Sequence, residues 1–141
     1  MKDQASILNP RVGFIPATNN ASDSAIVSAV IDRQGFESLT FLLISGTITD
    51  ADVTSVVLVE DGDDSGLSDN AAVADAELSG TELLAAFAYS ADSVCKKIGY
   101  LGNKRYVRLT LTPTSNAGAM PLACIALLGN GHIGQQPTTP V

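Results

Sequence analysis

The sequence predicts an all-β fold, an antiparallel jelly roll or β-sandwich of about eight short strands with at most one short helix. Residues 105–112 carry the clearest signal, because Val107, Leu109 and Leu111 alternate with polar residues. A period of two is typical of a strand with one buried and one exposed face. Further apolar segments recur roughly every 10–15 residues between turn-forming residues, and this spacing favours a sandwich over an α/β design.

Residues 97–100 and 105–112 are predicted to form a β-hairpin. The turn between them contains Gly102 and Asn103, two residue types that tolerate a positive φ angle. We therefore expect the two strands to pair directly with each other, and the remaining strands to pack against that pair.

Three regions are predicted along the chain: an N-terminal arm over residues 1–11, one β-sandwich domain over residues 12–128, and an extended or flexible tail over residues 129–141. The large apolar side chains of the arm are Ile7 and Leu8, and Pro10 interrupts it. The tail contains three glycines and two prolines, so it is expected to lack regular structure unless a partner holds it.

The first predicted strands of the domain are short. Residues 12–15 are expected to form an edge strand that ends at Pro16, because proline cannot donate to a sheet ladder. Residues 24–32 are predicted to form one strand whose apolar side carries Ala25, Val27, Ala29 and Ile31.

The most apolar strands are predicted at residues 36–45, 53–60 and 122–128. The first reads FESLTFLLIS and the last LACIALL, so both are apolar on their two sides. A strand with this pattern lies in the centre of a sheet or beneath another layer.

The connection between these strands contains an acidic loop over residues 61–70 and a short predicted strand over residues 71–78. Ser79 and Glu82 match the first and fourth positions of a capping box. This signal predicts one or two helical turns over residues 83–87.

Composition limits the classes of partner. The chain has 141 residues, which is enough for one domain with its own core. Only 16% of the residues are charged, below the roughly 25% of a typical soluble domain, and a lightly charged surface suggests that a partner covers part of it. A net charge of −7 with few aromatic residues makes the chain a poor candidate for nucleic-acid binding.

The charges are also unevenly distributed along the sequence. Every acidic residue lies at or before Asp92, and five of the eight basic residues lie beyond it. Two interpretations stay open: the fold intermixes the two sets, or it separates them into an acidic and a basic patch that orient docking.

Membrane and secretion signals are not recognisable in the sequence. The first ten residues contain no apolar signal-peptide core, and no stretch approaches 18 apolar residues. We therefore expect no membrane partner. Cys95 and Cys124 each fall within a predicted strand, and two buried free thiols in a reducing compartment are expected.

No catalytic constellation is recognisable, so we expect neither enzymatic activity nor a cofactor. Residues 61–66 match the first half of an EF-type calcium loop, but the twelfth position is Ala72 instead of glutamate. A solvated loop is therefore favoured over a metal site. His132 is the single histidine and lies in the glycine-rich tail, which is a poor place for a preorganised catalytic base or a zinc site.

The basic residues near the predicted turn have both structural and binding interpretations. Lys104 and Arg105 flank the turn, where they either solubilise it or block edge-to-edge strand pairing. Arg108 lies in mid-strand beside Tyr106. We expect it to stack on that ring, or to pair with an acidic group of its own sheet or of a partner.

Three segments carry a resemblance to known proteins. Residues 35–41 read GFESLTF, residues 57–62 read VLVEDG, and residues 98–108 read IGYLGNKRYVR. In this order they resemble a family of small head proteins of tailed bacteriophages, the capsid cement or decoration proteins. The resemblance covers residues 35–113.

The resemblance implies a jelly-roll fold and a non-enzymatic structural role in the virion. Proteins of this family sit as homodimers on the exterior of an icosahedral capsid, where they bind the major capsid protein and join neighbouring capsomers. The implied location is the virion surface, after synthesis in the host cytoplasm. The alternatives are a head–tail joining or tail component, and a carbohydrate-binding jelly roll, which the absence of tryptophan disfavours.

The arms and the exposed charges suit docking to such a shell. Apolar arms can add to a neighbouring sheet or groove, and complementary charges set the docking orientation more than the affinity. The candidate assembly contacts are therefore Ile7, Leu8, Pro10, Lys104, Arg105, Arg108 and His132.

Overall fold

Two antiparallel sheets pack face to face in the computed structural model, which describes residues 4–5, 7–16 and 20–132. The strands are β1 (Asn9–Phe14), β2 (Ile26–Val27), β3 (Ile31–Asp32), β4 (Phe36–Ser45), β5 (Thr54–Gly62), β6 (Ala71–Ala72), β7 (Leu78–Ser79), β8 (Cys95–Tyr100), β9 (Tyr106–Thr114) and β10 (Leu122–Gly131). Within the described residues there is one α-helix, α1 (Glu82–Ala85), and one 3-10 turn (Asp75–Glu77). The predicted all-β sandwich is confirmed.

The order of the strands is that of a jelly roll. Sheet A has the order β1-β10-β4-β8-β7, and sheet B has the order β2-β9-β5-β6 with β3 also beside β9. From β4 onward the long strands alternate between the sheets, because β4, β8 and β10 belong to sheet A and β5 and β9 to sheet B. This nested path of antiparallel strands distinguishes the jelly roll from a simple meander.

The core lies between the inner sides of the two sheets. The alternation predicted for β9 is confirmed, because Val107, Leu109 and Leu111 are fully buried. From sheet A, Phe41 and Leu43 of β4 meet them in the same core cluster. Burial of each large apolar side chain contributes about 1.5–3 kcal/mol, so the sandwich is held together chiefly by these inward rows.

The predicted hairpin of β8 and β9 is wrong. β8 pairs with β4 and β7 in sheet A, whereas β9 pairs with β5 in sheet B. Residues 101–105 therefore carry the chain from one layer to the other. The Gly102-Asn103 signal located a reversal of direction correctly, but a local turn signal does not specify which strand becomes the pairing partner.

Residues 24–32 form two short strands in place of the single predicted one. Val27 pairs with Thr110 and Ile31 pairs with Val107, so four steps along this segment match three steps along β9. The extra residue makes a β-bulge, and a bulge reverses the side to which later residues point. Val27 is 49% exposed while Ile31 is buried, so the prediction that both share one side is wrong.

The start of α1 differs from the predicted capping box. Thr81 is the N-cap, and its hydroxyl accepts a hydrogen bond from the Leu84 N–H at 3.2 Å. Ser79 belongs to β7. The Glu82 carboxylate accepts from the Val59 N–H at 2.7 Å, so it joins the helix to sheet B instead of closing a capping box.

Both ends of the sandwich extend beyond the predicted domain limits. β1 begins at Asn9, so Pro10 lies within sheet A, opposite Leu127 of β10. β10 continues to Gly131. Residues 133–141 of the predicted tail and residues 1–3 and 6 of the predicted arm lie outside the described residues.

Candidate functional site

The segments that carry the family resemblance meet around Tyr100, at one end of the sandwich. The Tyr100 hydroxyl donates a hydrogen bond to the Asp61 carboxylate at 2.5 Å and accepts one from the Lys104 N–H at 3.1 Å. Tyr100 and Asp61 are both buried. Burial, followed by the hydrogen bond to Asp61, raises the pKa of Tyr100 well above its ordinary value. The phenol therefore stays protonated and serves as a fixed donor that links sheet A to sheet B.

Arg33 completes this group, which we call the Tyr100 cluster (Tyr100, Asp61, Arg33 and Gly102). Its guanidinium carbon lies 4.6 Å from the centre of the Tyr100 ring. The same guanidinium donates to the backbone carbonyls of Gly102 at 3.1 Å, Lys104 at 2.7 Å and Glu37 at 2.9 Å. The sequence does not indicate this role of Arg33, because the carbonyls of Gly102 and Lys104 that it binds lie 69 and 71 residues away.

At two positions of the resembling segments, steric overlap explains why the residue is glycine. A Cβ atom on Gly102 would overlap the ring and hydroxyl of Tyr100, and one on Gly62 would overlap the Asp69 carboxylate and lie 2.9 Å from Leu67 Cδ2. Each glycine therefore lets the backbone approach a side chain that holds the end of the sandwich. Gly102 and Gly62 therefore allow close packing at this end of the sandwich.

Three of the predicted contact residues form a charged rim beside the Tyr100 cluster. Lys104 Nζ lies 2.5 Å from Asp63 Oδ2, Arg105 Nη2 lies 2.8 Å from Asp32 Oδ2, and His132 Nε2 lies 3.4 Å from Glu37 Oε1. We call these six residues the charged rim. A shallow concavity borders it, lined in part by Lys104, Arg105 and His132.

The pairing in the charged rim answers the question about charge distribution. The late basic residues lie against acidic residues that come 41 and 73 positions earlier in the chain. At this end of the molecule the fold therefore intermixes the charges, and the interpretation of separate acidic and basic patches is wrong here. Exposed pairs of this kind contribute little to stability, which leaves their side chains available for a partner.

Arg108 does not share that environment. Its Nε and Nη2 atoms donate to Glu60 Oε2 at 3.2 and 2.8 Å, and both side chains are mostly buried. Tyr106 is covered instead by Arg105, whose guanidinium carbon lies 4.9 Å from the ring centre. Of the two expectations for Arg108, pairing within its own sheet is the one observed, so this predicted contact is already engaged.

The acidic loop over residues 61–70 uses its carboxylates to bind its own backbone. Asp69 accepts from the N–H groups of Asp63 and Asp64, and Asp64 accepts from those of Gly66 and Ser68. Within the part of the chain that the structure describes, no three His, Cys, Asp or Glu side chains form a group able to hold a metal ion. The carboxylates here act as turn-forming acceptors.

Acidification is expected to destabilise this loop and, with it, the fold. Backbone hydrogen bonds, chiefly from Ser68 to Asp64 and from Asp63 to Asp69, lower the pKa of both carboxyls below 3.8. A lowered folded-state pKa stabilises the fold above the unfolded-state pKa, and that contribution is lost as the pH falls through the folded-state value. Thermal melts from pH 6 to pH 2 should show a Tm that falls below about pH 4.

The variant Asp69→Asn is expected to flatten that acid-dependent fall in Tm. Asp52→Asn makes the same change of charge in a different loop and serves as the control, with the wild-type profile expected. Equal profiles for wild type and Asp69→Asn would contradict a stabilising role of this loop.

A second feature is an apolar surface on the outer side of sheet A. The side chains that form it, called the apolar face, belong to three adjacent strands and are Pro10, Val12, Leu42, Ile44, Ala123, Ile125 and Leu127. The two-sided apolar pattern of residues 36–45 and 122–128 predicted a central or covered position. Both strands are central in sheet A, yet Val12, Ile44 and Ile125 remain 62, 53 and 47% exposed.

The three predicted contacts of the arm lie at or beside the apolar face. Pro10 is part of it. Leu8 lies beside it, because its Cδ2 atom is 3.5 Å from the position that a Cβ atom on Gly129 would occupy. Ile7 is 38% exposed next to Leu8. The seven predicted contacts therefore divide into three places: the apolar face and its edge, the charged rim and, for Arg108, the outer side of sheet B.

The two cysteines differ in environment. Cys124 is buried as predicted, and burial raises the pKa of its thiol to about 12. Cys95 is exposed, so the prediction of two buried thiols is wrong for this residue. Cys95 lies on β8 opposite Ile44, at the margin of the apolar face.

In the described part of the chain the single α-helix has four residues, far too few to cross a bilayer.

Comparison with known proteins supports the fold and supplies no family. No protein-family model matches the chain, and no curated protein sequence does. Among solved structures, the chain is similar to the PBSX exported protein XepA, with a TM-score of 0.56 and 14% sequence identity over 94% of this chain. The chain spans 41% of the length of XepA. At this identity the likeness shows a shared fold.

Two further likenesses are more distant. Latent PorU from Porphyromonas gingivalis has a TM-score of 0.47 and 9% identity over 91% of this chain and 13% of its own. The xylan-binding module CBM15 has a TM-score of 0.39 and 8% identity over 92% of this chain and 95% of its own. Neither likeness is close enough to support an argument, so the comparisons show that the chain shares its fold with part of XepA.

Proposed function

We propose that the protein is a non-enzymatic structural component of a tailed-phage virion. In this proposal it binds the outer surface of the icosahedral capsid as a homodimer, contacts the major capsid protein and bridges neighbouring capsomers. The protein carries two surfaces suited to docking, the charged rim and the apolar face, on a rigid sandwich. A shell-bridging protein needs such surfaces and no reactive groups.

The observation that carries the proposal is the convergence of the three resembling segments on the Tyr100 cluster. Asp61 comes from the VLVEDG segment, Tyr100 and Gly102 come from the IGYLGNKRYVR segment, and Arg33 binds the Glu37 carbonyl of the GFESLTF segment. The three segments thus depend on one another physically in the fold. This dependence supports a common origin with the family that they resemble, over a chance similarity of each segment. The fold shared with the PBSX exported protein XepA is compatible with a structural role of this kind.

Modest contacts suffice for the proposed role. Each copy on a shell contacts several capsid subunits that are already fixed in place, so the later contacts form at a high effective concentration. Ion pairs of the charged rim are individually weak in water, but many copies acting together can hold neighbouring capsomers. The orientation of docking is then set by the pattern of charges.

The proposal is tested by measuring how many copies the virion carries. Quantitative mass spectrometry of purified particles should give about one copy for each major capsid protein, because a shell-wide protein repeats with the symmetry of the shell. A ratio near one copy to forty would place the protein at the portal or tail. Its absence from particles would overturn the virion role.

The same particles allow a test of the arm. A chain lacking residues 1–8 keeps all of β1, which begins at Asn9, and it should fold normally. When it is added to particles assembled without the protein, its occupancy is expected to fall several-fold below that of the full chain. Equal occupancy would exclude the arm from binding and leave the charged rim as the contact.

A further inference from the structure

The centre of the apolar face is a continuous row across three strands. Val12 of β1 stands opposite Ile125 of β10, and Ile125 stands opposite Leu42 of β4. Leu127 and Ile44 extend the row to either side along the strands. Cross-strand neighbours on one side of a sheet lie about 5 Å apart, so these side chains form one unbroken surface.

The outer side of sheet B provides an internal comparison. Its central strands present Thr54, Thr110, Thr112 and the Glu60–Arg108 ion pair, with Val56 and Leu58 among them. An antiparallel sheet that faces water normally alternates apolar inside with polar outside. On sheet B apolar and polar side chains are interspersed, whereas the apolar face of sheet A is unbroken across three strands. The apolar face is therefore suited to contact with another surface.

Its chemistry indicates a second copy of the same chain. The chain has a net charge of −7, yet the apolar face contains no acidic side chain, and Lys97 is the single charged residue at its β8 margin. Two copies can therefore meet there without bringing carboxylates together. The face also lacks the aromatic side chains that sugar-binding surfaces use.

We propose that two copies associate through the apolar face about a two-fold axis parallel to the strands, between β10 and β4. This arrangement puts β8 of each copy opposite β1 of the other, so the two Lys97 side chains do not face each other. It is an isologous contact, in which one surface pairs with itself. The inference rests on the proposed function, which includes a homodimer, and it names the surface through which the two copies associate.

The area of the surface predicts how tight the dimer is. The four strands that overlap in this arrangement (β1, β10, β4 and β8), spaced about 4.8 Å apart with about six residues of 3.3 Å each, give roughly 380 Å² per copy, or about 760 Å² in total. Specific interfaces of about this size lie at the weak end of the known range. The dimer should thus be concentration-dependent in solution and persist where a shell concentrates the copies.

The test is sedimentation velocity of the purified full chain over a series of concentrations. The wild type should shift from monomer towards dimer as the concentration rises. Ile125→Glu places a carboxylate at the centre of the contact and is expected to weaken the dissociation constant at least about tenfold. Val56→Glu makes a comparable change at a 63% exposed position on sheet B and should leave self-association unchanged.

Thiol labelling gives a second readout that does not depend on mass. Cys95 is exposed beside the face and Cys124 is buried, so a water-soluble maleimide reports on Cys95 in the folded protein. Its labelling rate should fall as the wild-type concentration rises and stay constant for Ile125→Glu. Circular dichroism confirms that both variants are folded.

Three outcomes would overturn the inference. The first is a wild type that is monomeric at every concentration. The second is a Val56→Glu variant that weakens association as much as Ile125→Glu does. The third is a slow labelling of Cys95 at all concentrations, which becomes faster when residues 133–141 are removed. The last would assign the face to the tail of the same chain. Because particle occupancy is measured separately, the dimer and the virion role can fail independently. A monomer that still decorates shells refutes the dimer and leaves the virion role standing, and a dimer that never binds shells refutes the virion role.

Discussion

Replacing Gly102 with alanine is expected to lower the free energy of unfolding by about 3 kcal/mol, because the change breaks a buried hydrogen bond to a carboxylate. The new Cβ would occupy the position of the Tyr100 ring and hydroxyl. Tyr100 must then move away from Asp61, which is 7% exposed and accepts its hydrogen bond at 2.5 Å. Urea unfolding followed by circular dichroism measures the loss.

A second glycine and a double-mutant cycle act as controls for this expectation. Gly66→Ala changes a glycine in the acidic loop, where the nearest atom is an exposed Asp64 oxygen at 3.2 Å, and it should leave the midpoint almost unchanged. Tyr100→Phe removes the hydroxyl alone and should cost about 2 kcal/mol. Gly102→Ala should then cost less in the Tyr100→Phe background than in the wild type. Strict additivity of the two changes would show that the glycine acts independently of the hydrogen bond.

Removing the Arg33 side chain is expected to cost about 2–3 kcal/mol, the second-largest effect, since its guanidinium binds several backbone carbonyls at once. Arg33→Ala leaves the carbonyls of Gly102 and Lys104 without their donor and uncovers the Tyr100 ring. The crossover from sheet A to sheet B loses the group that fixes its path. The urea midpoint should fall while the slope of the transition stays constant.

The contrast with Arg105 makes this expectation specific. Arg105 pairs with Asp32 and stacks on Tyr106 at the surface, so Arg105→Ala should leave the midpoint close to that of the wild type. Arg33→Lys keeps the charge but loses the planar fork, and most of the destabilisation should remain. Full recovery by lysine would mean that charge alone, and not the fixed geometry of the guanidinium, holds the crossover.

The sequence alone predicted the elements whose signals are local. The alternation of residues 105–112 identified β9 and its buried side, and the two-sided apolar segments at 36–45 and 122–128 identified the two central strands of sheet A. A period of two fixes which side chains share a face of a strand without reference to any distant residue. The all-β class and the paucity of helix were therefore predictable, as was the gathering of cationic residues near position 104.

The tertiary structure decided everything that depends on pairing across the chain. It separated β8 from β9, introduced the bulge that turned Val27 outward, and placed Arg33 over Tyr100. It also paired Lys104 and Arg105 with acidic residues far away in sequence. The physical reason is that strand partners and ion pairs are chosen by competition among segments distant in the sequence, whereas hydrophobic periodicity is a property of each segment by itself.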